Sequence, residues 1–350
     1  MADTKFDPEG TFSKDSSIFG MPDDKDSALH LIPVSWEPTT SFKKGTANGP
    51  DALFEATKQM DLYHPYFRKS FEKGIYWNKE SLLDSKELNK KAKKAAAAVV
   101  DALENEKEVS ASDLENVNSL SVEFNEMVYT QSIKALNSGK TVGLVGGDHS
   151  CPYGLIKALS EKNPEGFSII HIDAHFDFRD AYQGFEHSHA SIMHNVRSKI
   201  SNPPTIFQLG IRDFSESELK FANEHSTYLL DQELHSELLK GKSFENLISE
   251  LFKNLSEKIY ISFDIDGLSP EHCPNTGTPV PGGLSYNQAV FMIQMLHENG
   301  HNLIGFDLVE VSPGKSEIPG EGLDEVVGSR LLYELSCFAL ASSDQRLQAK

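Results

Sequence analysis

Three short stretches of this 350-residue chain concentrate side chains that bind metals. Val145–Ser150 reads VGGDHS, His171–Arg179 reads HIDAHFDFR, and Ser262–Pro270 reads SFDIDGLSP. In the second, Asp173, His175 and Asp177 are spaced two residues apart, so on extended backbone they project from one face. Asp264 and Asp266 share a face in the same way. With His149 the set comprises two imidazoles and four carboxylates. Four carboxylates in a shielded crevice repel strongly unless cations cancel their charge. Two divalent ions would do so. Carboxylate with imidazole and no thiolate suits Mn2+, with Zn2+, Co2+ and Ni2+ as alternatives. Two ions roughly 3.5–4 Å apart make water a strong nucleophile at neutral pH. A single DxD or HxD reads as a turn or a cap. Three together, each behind a strand, read as a metal centre.

The elements that must position these residues are visible as apolar runs. Strands are expected at Ala28–Trp36, Thr141–Val145, Phe167–Ile172, Thr205–Leu209, Thr227–Leu230, Lys258–Phe263 and Asn302–Phe306. Helices are expected at about Asp113–Ser138, Pro152–Glu161, Glu216–Glu224, Phe244–Leu255, Tyr286–Asn299 and Asp324–Ala341. Short apolar strands between amphipathic helices read as βαβ units. The expected fold is α/β, three layers (α/β/α) with a mostly parallel sheet, and ligands bind beyond the carboxyl ends of such strands. The two glycines of VGGDHS are expected to supply a sharp turn. Phe42–Ala52 reads as a loop entering a helix, with Pro50 in the first turn. Lys79–Val109, with KKAKKAAAA at its centre, reads as a solvated helix or a loop with helical content. Its Asp and Glu offset the lysines. Residues 1–27 read as a polar arm and 28–350 as one catalytic domain.

Composition narrows the partners. Lys and Arg number 33 against 52 Asp and Glu, a net charge of −19, which argues against nucleic acid and anionic lipid surfaces. Cys151, Cys273 and Cys337 are far apart and form no disulfide framework or CxxC motif, as expected in a reducing compartment. The polar N-terminus lacks the apolar core of a signal peptide. No apolar run approaches the roughly 20 residues that span a bilayer. The expectation is a soluble cytoplasmic protein with no membrane partner.

VGGDHS, DAHFD, SFDIDGLSP and CPNTGTPVPGG (Cys273–Gly283) together resemble the signatures of the ureohydrolases, which include arginase, agmatinase and formimidoylglutamase. The resemblance runs from about Leu31 to the C-terminal helix, and GTANGPDA resembles the family's Gly-Pro loop. It implies an arginase-like fold, an agmatinase-like member, two Mn2+ per chain and a homo-oligomer, trimer or hexamer. By resemblance, His149, Asp173, Asp177 and Asp264 hold one ion, and His175, Asp173, Asp264 and Asp266 the other. Glu310, in DLVEVSP, matches the glutamate that binds the substrate's guanidinium. His189, in HSHAS, matches the histidine that shuttles protons, with His187 as its rival. Asp266 would pass a proton to the leaving amine. Ser269 and Asn275 depart from the family's usual aspartate and glycine, and SHASI replaces SHGTP.

Arg179 bears on the substrate. Arginase has asparagine there and agmatinase commonly an uncharged residue, whereas arginine resembles formimidoylglutamase. A guanidinium at the mouth attracts a carboxylate and repels an ammonium. Alternatively Arg179 pairs with Asp180 or Glu186 and faces away. The implied reaction is hydrolysis of a guanidino carbon to release urea, in an agmatinase-like or arginase-like enzyme. Formimidoylglutamase, giving formamide and glutamate, is the alternative. A catalytically silent metal-binding homologue and a binuclear phosphoesterase are the readings of other classes; the latter should show more histidine and an Asn ligand.

Overall fold

Strands covered on both faces read as continuous apolar runs, and the strands of this chain follow that rule. The computed structural model describes residues 6–10, 16–40, 42–314 and 320–348. Among the described residues eight strands form one sheet: β1 (Leu29–Pro33), β2 (Ile75–Trp77), β3 (Thr141–Val145), β4 (Ser168–Ile172), β5 (Thr205–Leu209), β6 (Ser226–Leu229), β7 (Lys258–Asp264) and β8 (Asn302–Val309). Their order is β2-β1-β3-β8-β7-β4-β5-β6, and every neighbouring pair is parallel. The sheet is thus wholly parallel. In β4, Ile170 and Ile172 enter one core while Ile169 enters the other. β7 repeats the alternation, with Ile259 and Ile261 on one side and Tyr260 on the other.

The helices are α1 (Gly49–Ala56), α2 (Lys79–Glu104), α3 (Ala111–Asn137), α4 (Tyr153–Lys162), α5 (Ile192–Lys199), α6 (Glu216–His225), α7 (Asp231–Leu239), α8 (Phe244–Leu251), α9 (Tyr286–Glu298) and α10 (Leu323–Gln348). One layer packs through Leu53 of α1, Leu234 of α7, Ile248 of α8, Met292 of α9 and Leu335 of α10. The other packs through Ala92 of α2, Phe124 of α3, Leu155 of α4, Met193 of α5 and Ala222 of α6. The result is the three-layer arrangement expected from the βαβ pattern. The Lys/Ala-rich segment is helical: α2 lies on α3, with Ala96 and Val99 buried against Val117 and Phe185. Within 1–27, Ile18 and Phe19 are buried in the core, Phe19 against the Tyr333 ring.

β2, α5 and α7 have no counterpart in the sequence expectations. β2 is three residues long, too short for a periodic signal, and exists because Ile75–Trp77 pairs with Leu29–Leu31. α5 is secured from outside, since the Asp177 carbonyl accepts from Met193 N and His194 N. β8 runs three residues further than expected, to Val309, which delivers Glu310 to the sheet's edge.

Sheet order explains why distant motifs meet. β3, β8, β7 and β4 are consecutive neighbours, and their carboxyl ends present His149, Glu310, Asp264 and Asp173. Gly146 and Gly147 serve this convergence through space rather than through a left-handed turn, for neither has positive φ. A Cβ on Gly147 would lie 2.0 Å from the Trp36 carbonyl oxygen. Gly147→Ala should therefore destabilise the fold by about 3 kcal/mol or more, since the overlap is with backbone. Thermal unfolding checks this, and an unchanged midpoint would refute it.

Candidate metal centre

Asp173 is the middle of the cluster. One carboxylate oxygen, Oδ2, lies 2.9 Å from His149 Nδ1 and 2.9 Å from His171 Nε2. The other, Oδ1, lies 3.3 Å from His175 Nδ1. His149 Nδ1 is also 3.1 Å from Asp177 Oδ2 and 3.3 Å from Asp264 Oδ2, and His175 Nδ1 is 3.3 Å from Asp266 Oδ2. All six sequence candidates thus come together, buried except His175, which faces the cavity. The local geometry differs from the extended backbone expected. β4 ends at Ile172 and the following residues turn, with Asp173 Oδ1 accepting from His175 N at 2.6 Å. Asp264 Oδ1 likewise accepts from Asp266 N at 2.8 Å, capping a 3-10 turn over Ile265–Gly267. Aspartates that hydrogen-bond their own backbone two residues on make such turns.

The donor set fits divalent cations. His149 Nε2 contacts Ser262 Oγ at 3.0 Å, leaving Nδ1 amid three carboxylate oxygens. One nitrogen can donate only one hydrogen, so the other oxygens need a different positive partner. Burial alone would lower His149, but Asp173, Asp177 and Asp264 hold it well above the usual histidine range. Burial, and then the charge of Asp173, pushes Asp177 up to about 7. Burial, followed by Asp266 and Asp173, also raises Asp264. The cluster draws positive charge, and its oxygen and imidazole donors suit a divalent metal.

His171, which the sequence reading passed over, orients Asp173. Gln208 Nε2 donates to His171 Nδ1 at 2.9 Å and to the Phe176 carbonyl at 3.0 Å. The carbonyl fixes the amide's direction, so His171 Nδ1 accepts and Nε2–H donates to Asp173. His171 sits two residues before Asp173, the spacing that identified the other members. Arg212 was also missed. It lies three residues after β5 and donates to the carbonyls of Gly210, Asp266, Leu268 and Val280, tying three loops of the site together.

A cavity of about 370 Å³ opens above the cluster, lined among others by Arg179, Tyr182, His189, Asp213, Glu218 and Glu310. Glu310 is held at φ 61°, and its Oε1 accepts from His149 N at 3.0 Å. Its buried Oε2 has no hydrogen-bond partner among the described residues. Burial, reinforced by Asp148 and Asp266, raises the Glu310 carboxyl. His189 lines the cavity and is lowered to about 4, by burial first and then by His175 and His149. His187 points elsewhere, to Asn125 at 3.1 Å and the Tyr153 ring. Arg179 faces the cavity over the Tyr182 ring, with its guanidinium 3.5 Å from Glu218. Its partner is therefore neither Asp180 nor Glu186, which lie near His194 and Lys199. Glu218 accepts from Ser215 in a capping box at the start of α6. Ser269 and Asn275 lie outside the cluster, and Asn275 binds Asp324 of α10.

Comparison with known proteins agrees with this architecture. The Arginase family model matches residues 27–336. The chain is 27% identical over 320 residues to an N(1)-aminopropylagmatine ureohydrolase of Thermus thermophilus, covering 90% of this chain and 92% of that protein. It is 26% identical to an agmatinase of Bacillus anthracis, over 83% and 85% of the two chains. The solved structure of proclavaminate amidino hydrolase from Streptomyces clavuligerus superposes with a TM-score of 0.72 at 18% identity, covering 95% of this chain and 99% of the other, a likeness of fold. Sheet, cluster and family model agree: the chain belongs to the arginase family of ureohydrolases, which hydrolyse C–N bonds.

Proposed function

We propose that this chain hydrolyses a guanidino compound with a positively charged far end, agmatine or a close relative, and releases urea. The observation that carries the reading is Glu310 Oε2, a buried carboxylate oxygen without a partner among the described residues, on the cavity wall beside the acidic cluster. A guanidinium matches it through paired, charge-assisted hydrogen bonds. We assign one divalent ion to His149, Asp173, Asp177 and Asp264, and a second to His175, Asp173, Asp264 and Asp266, with Mn2+ as the metal. Bound there, the ions would supply Lewis acidity and lower the pKa of water.

The chain's own groups do the rest. Glu310 orients the planar carbon over the cluster. His189, kept neutral by burial, is a proton acceptor at the cavity wall. Asp266, whose Oδ1 is anchored by Ala174 N at 3.0 Å, keeps Oδ2 towards His175 and Thr278 and is the proposed proton donor to the leaving amine. At the mouth Arg179 is offset by Glu218, and Asp213 adds a second acid. Those charges favour a substrate with a cationic tail over formimidoylglutamate. The names of the relatives, agmatinase and N(1)-aminopropylagmatine ureohydrolase, support the same choice. Three free, buried cysteines support work in the cytoplasm, and the family resemblance supports a trimer or hexamer.

Purified protein loaded with Mn2+ should carry close to two ions per chain by elemental analysis and release urea from agmatine. Asp173→Ala, which removes the shared carboxylate, should lose most of the metal and the activity. Full turnover in metal-free protein would defeat the assignment.

Glu310→Gln preserves shape and removes charge. Its kcat/KM on agmatine should fall roughly a hundred-fold or more while metal content holds, given about 1.5–3 kcal/mol for each charge-assisted hydrogen bond. Normal turnover by the variant would relocate the guanidinium pocket.

Glu218→Gln unmasks Arg179. The kcat/KM for agmatine should drop about tenfold, the worth of one such contact, while that for the carboxylate analogue 4-guanidinobutanoate rises. A wild-type preference for the analogue would overturn the cationic-tail reading.

A further inference from the structure

One buried side chain, Glu37, binds the turn at Gly45–Ala47. Glu37 Oε2 accepts from Gly45 N at 2.7 Å, Ala47 N at 3.0 Å and Thr46 Oγ1 at 3.1 Å. Its other oxygen pairs with Lys93 of α2, and its backbone N–H donates to Asn89 Oδ1 of the same helix. Glu37 and the turn at Gly45–Ala47 are therefore fastened to α2, and Thr39, two residues after Glu37, is buried against His189, which lines the cavity.

The Thr39 hydroxyl stands between Asp148 and His189. Asp148 Oδ1 is occupied by Ser150, through N at 3.0 Å and Oγ at 2.5 Å. Oδ2 receives Thr39 Oγ1 at 3.3 Å. The same Oγ1 accepts from His189 N at 3.3 Å and lies 3.5 Å from His189 Nδ1. A threonine hydroxyl has one hydrogen. With that hydrogen given to Asp148, the oxygen can only accept from the histidine. Nδ1 must then carry the ring hydrogen, which leaves Nε2 as the lone-pair nitrogen. Such contacts are often long before substrate binds.

We propose that Thr39, backed by Asp148, is the positioning residue that fixes the tautomer and orientation of His189. The inference rests on the guanidino-hydrolase reading for its kinetic consequence, though not for its geometry. The hydroxyl holds Nδ1–H, so the basic nitrogen is the one available to the cavity. A residue that selects a histidine tautomer in this way changes the rate of proton transfer rather than substrate affinity.

The test uses the full chain loaded with Mn2+ and agmatine as substrate. Thr39→Val keeps the shape and removes the hydroxyl. Its kcat should fall about 10- to 100-fold, part of the 100- to 10,000-fold that general acid–base catalysis supplies, with KM within about twofold and metal content unchanged. Thr39→Ser should recover the loss. In a His189→Ala background, Thr39→Val should cost almost nothing more, because the two residues act as a unit. Thr39→Ala should repeat the Thr39→Val result, so a packing fault peculiar to valine cannot imitate it. Wild-type kcat in both hydroxyl-free variants, or fully additive losses with His189→Ala, would overturn the proposal. Nitrogen-15 NMR of the ring in Zn2+-loaded protein reads the tautomer without turnover. It should give Nδ1–H in the wild type and a changed pattern in Thr39→Val, and Nε2–H in the wild type would overturn it. Wild type that releases no urea from agmatine yet shows Nδ1–H would count against the substrate reading alone.

Discussion

Asp173 has to carry a negative charge where water is excluded, and much of the site can be understood from that requirement. Burial alone would raise its carboxyl, yet His171, then His149 and His175, hold it well below the usual aspartate range. The same compensation cannot reach every neighbour: Asp177 and Asp264 are raised by burial and by the acids around them. Three imidazoles therefore serve a crowd of four carboxylates. The shortage of positive charge gives the cluster its affinity for cations, and it is built from residues that no single strand could present.

The sheet meets this requirement by adjacency. β3, β8, β7 and β4 lie side by side, so residues more than 150 positions apart in sequence arrive at one edge. Backbone carbonyls then fasten the loops. Arg212 has no acid partner among the described residues and spends its donors on the carbonyls of Gly210, Asp266, Leu268 and Val280. A guanidinium satisfied by carbonyls adds rigidity without neutralising the carboxylates needed for binding.

Much of this was legible in the sequence because it is written locally. Apolar runs such as Thr141–Val145 and Lys258–Phe263 marked strands, and the polar residues just beyond them marked the cluster. What escaped depends on pairing across the fold. Arg179 and Glu218 are brought together only when the loop after β4 meets the start of α6, so neighbours in sequence gave the wrong partner. Glu37 reads as one more polar loop residue until Lys93 of α2 reaches it. Gly147 was legible as a glycine needed for structure, but the reason, the approach of the Trp36 carbonyl, belongs to a segment over a hundred residues away. β2 is a strand only because β1 is beside it.

Asp177 and Glu310 both sit in the left-handed region, at φ 55° and 61°, where side chains other than Gly, Asn and Asp rarely settle. Each is held there by its surroundings: the Asp177 carbonyl takes two N–H groups from α5, and Glu310 N donates to the Gly147 carbonyl at 2.7 Å. An engineer raising the heat resistance of this protein by the common rule of placing glycine at positive φ would choose these positions early. The backbone would relax, and each replacement would delete a carboxylate from the cavity floor. Thermal robustness and turnover are set against each other at those two residues, and a stabilised descendant of this chain would have to gain its stability elsewhere.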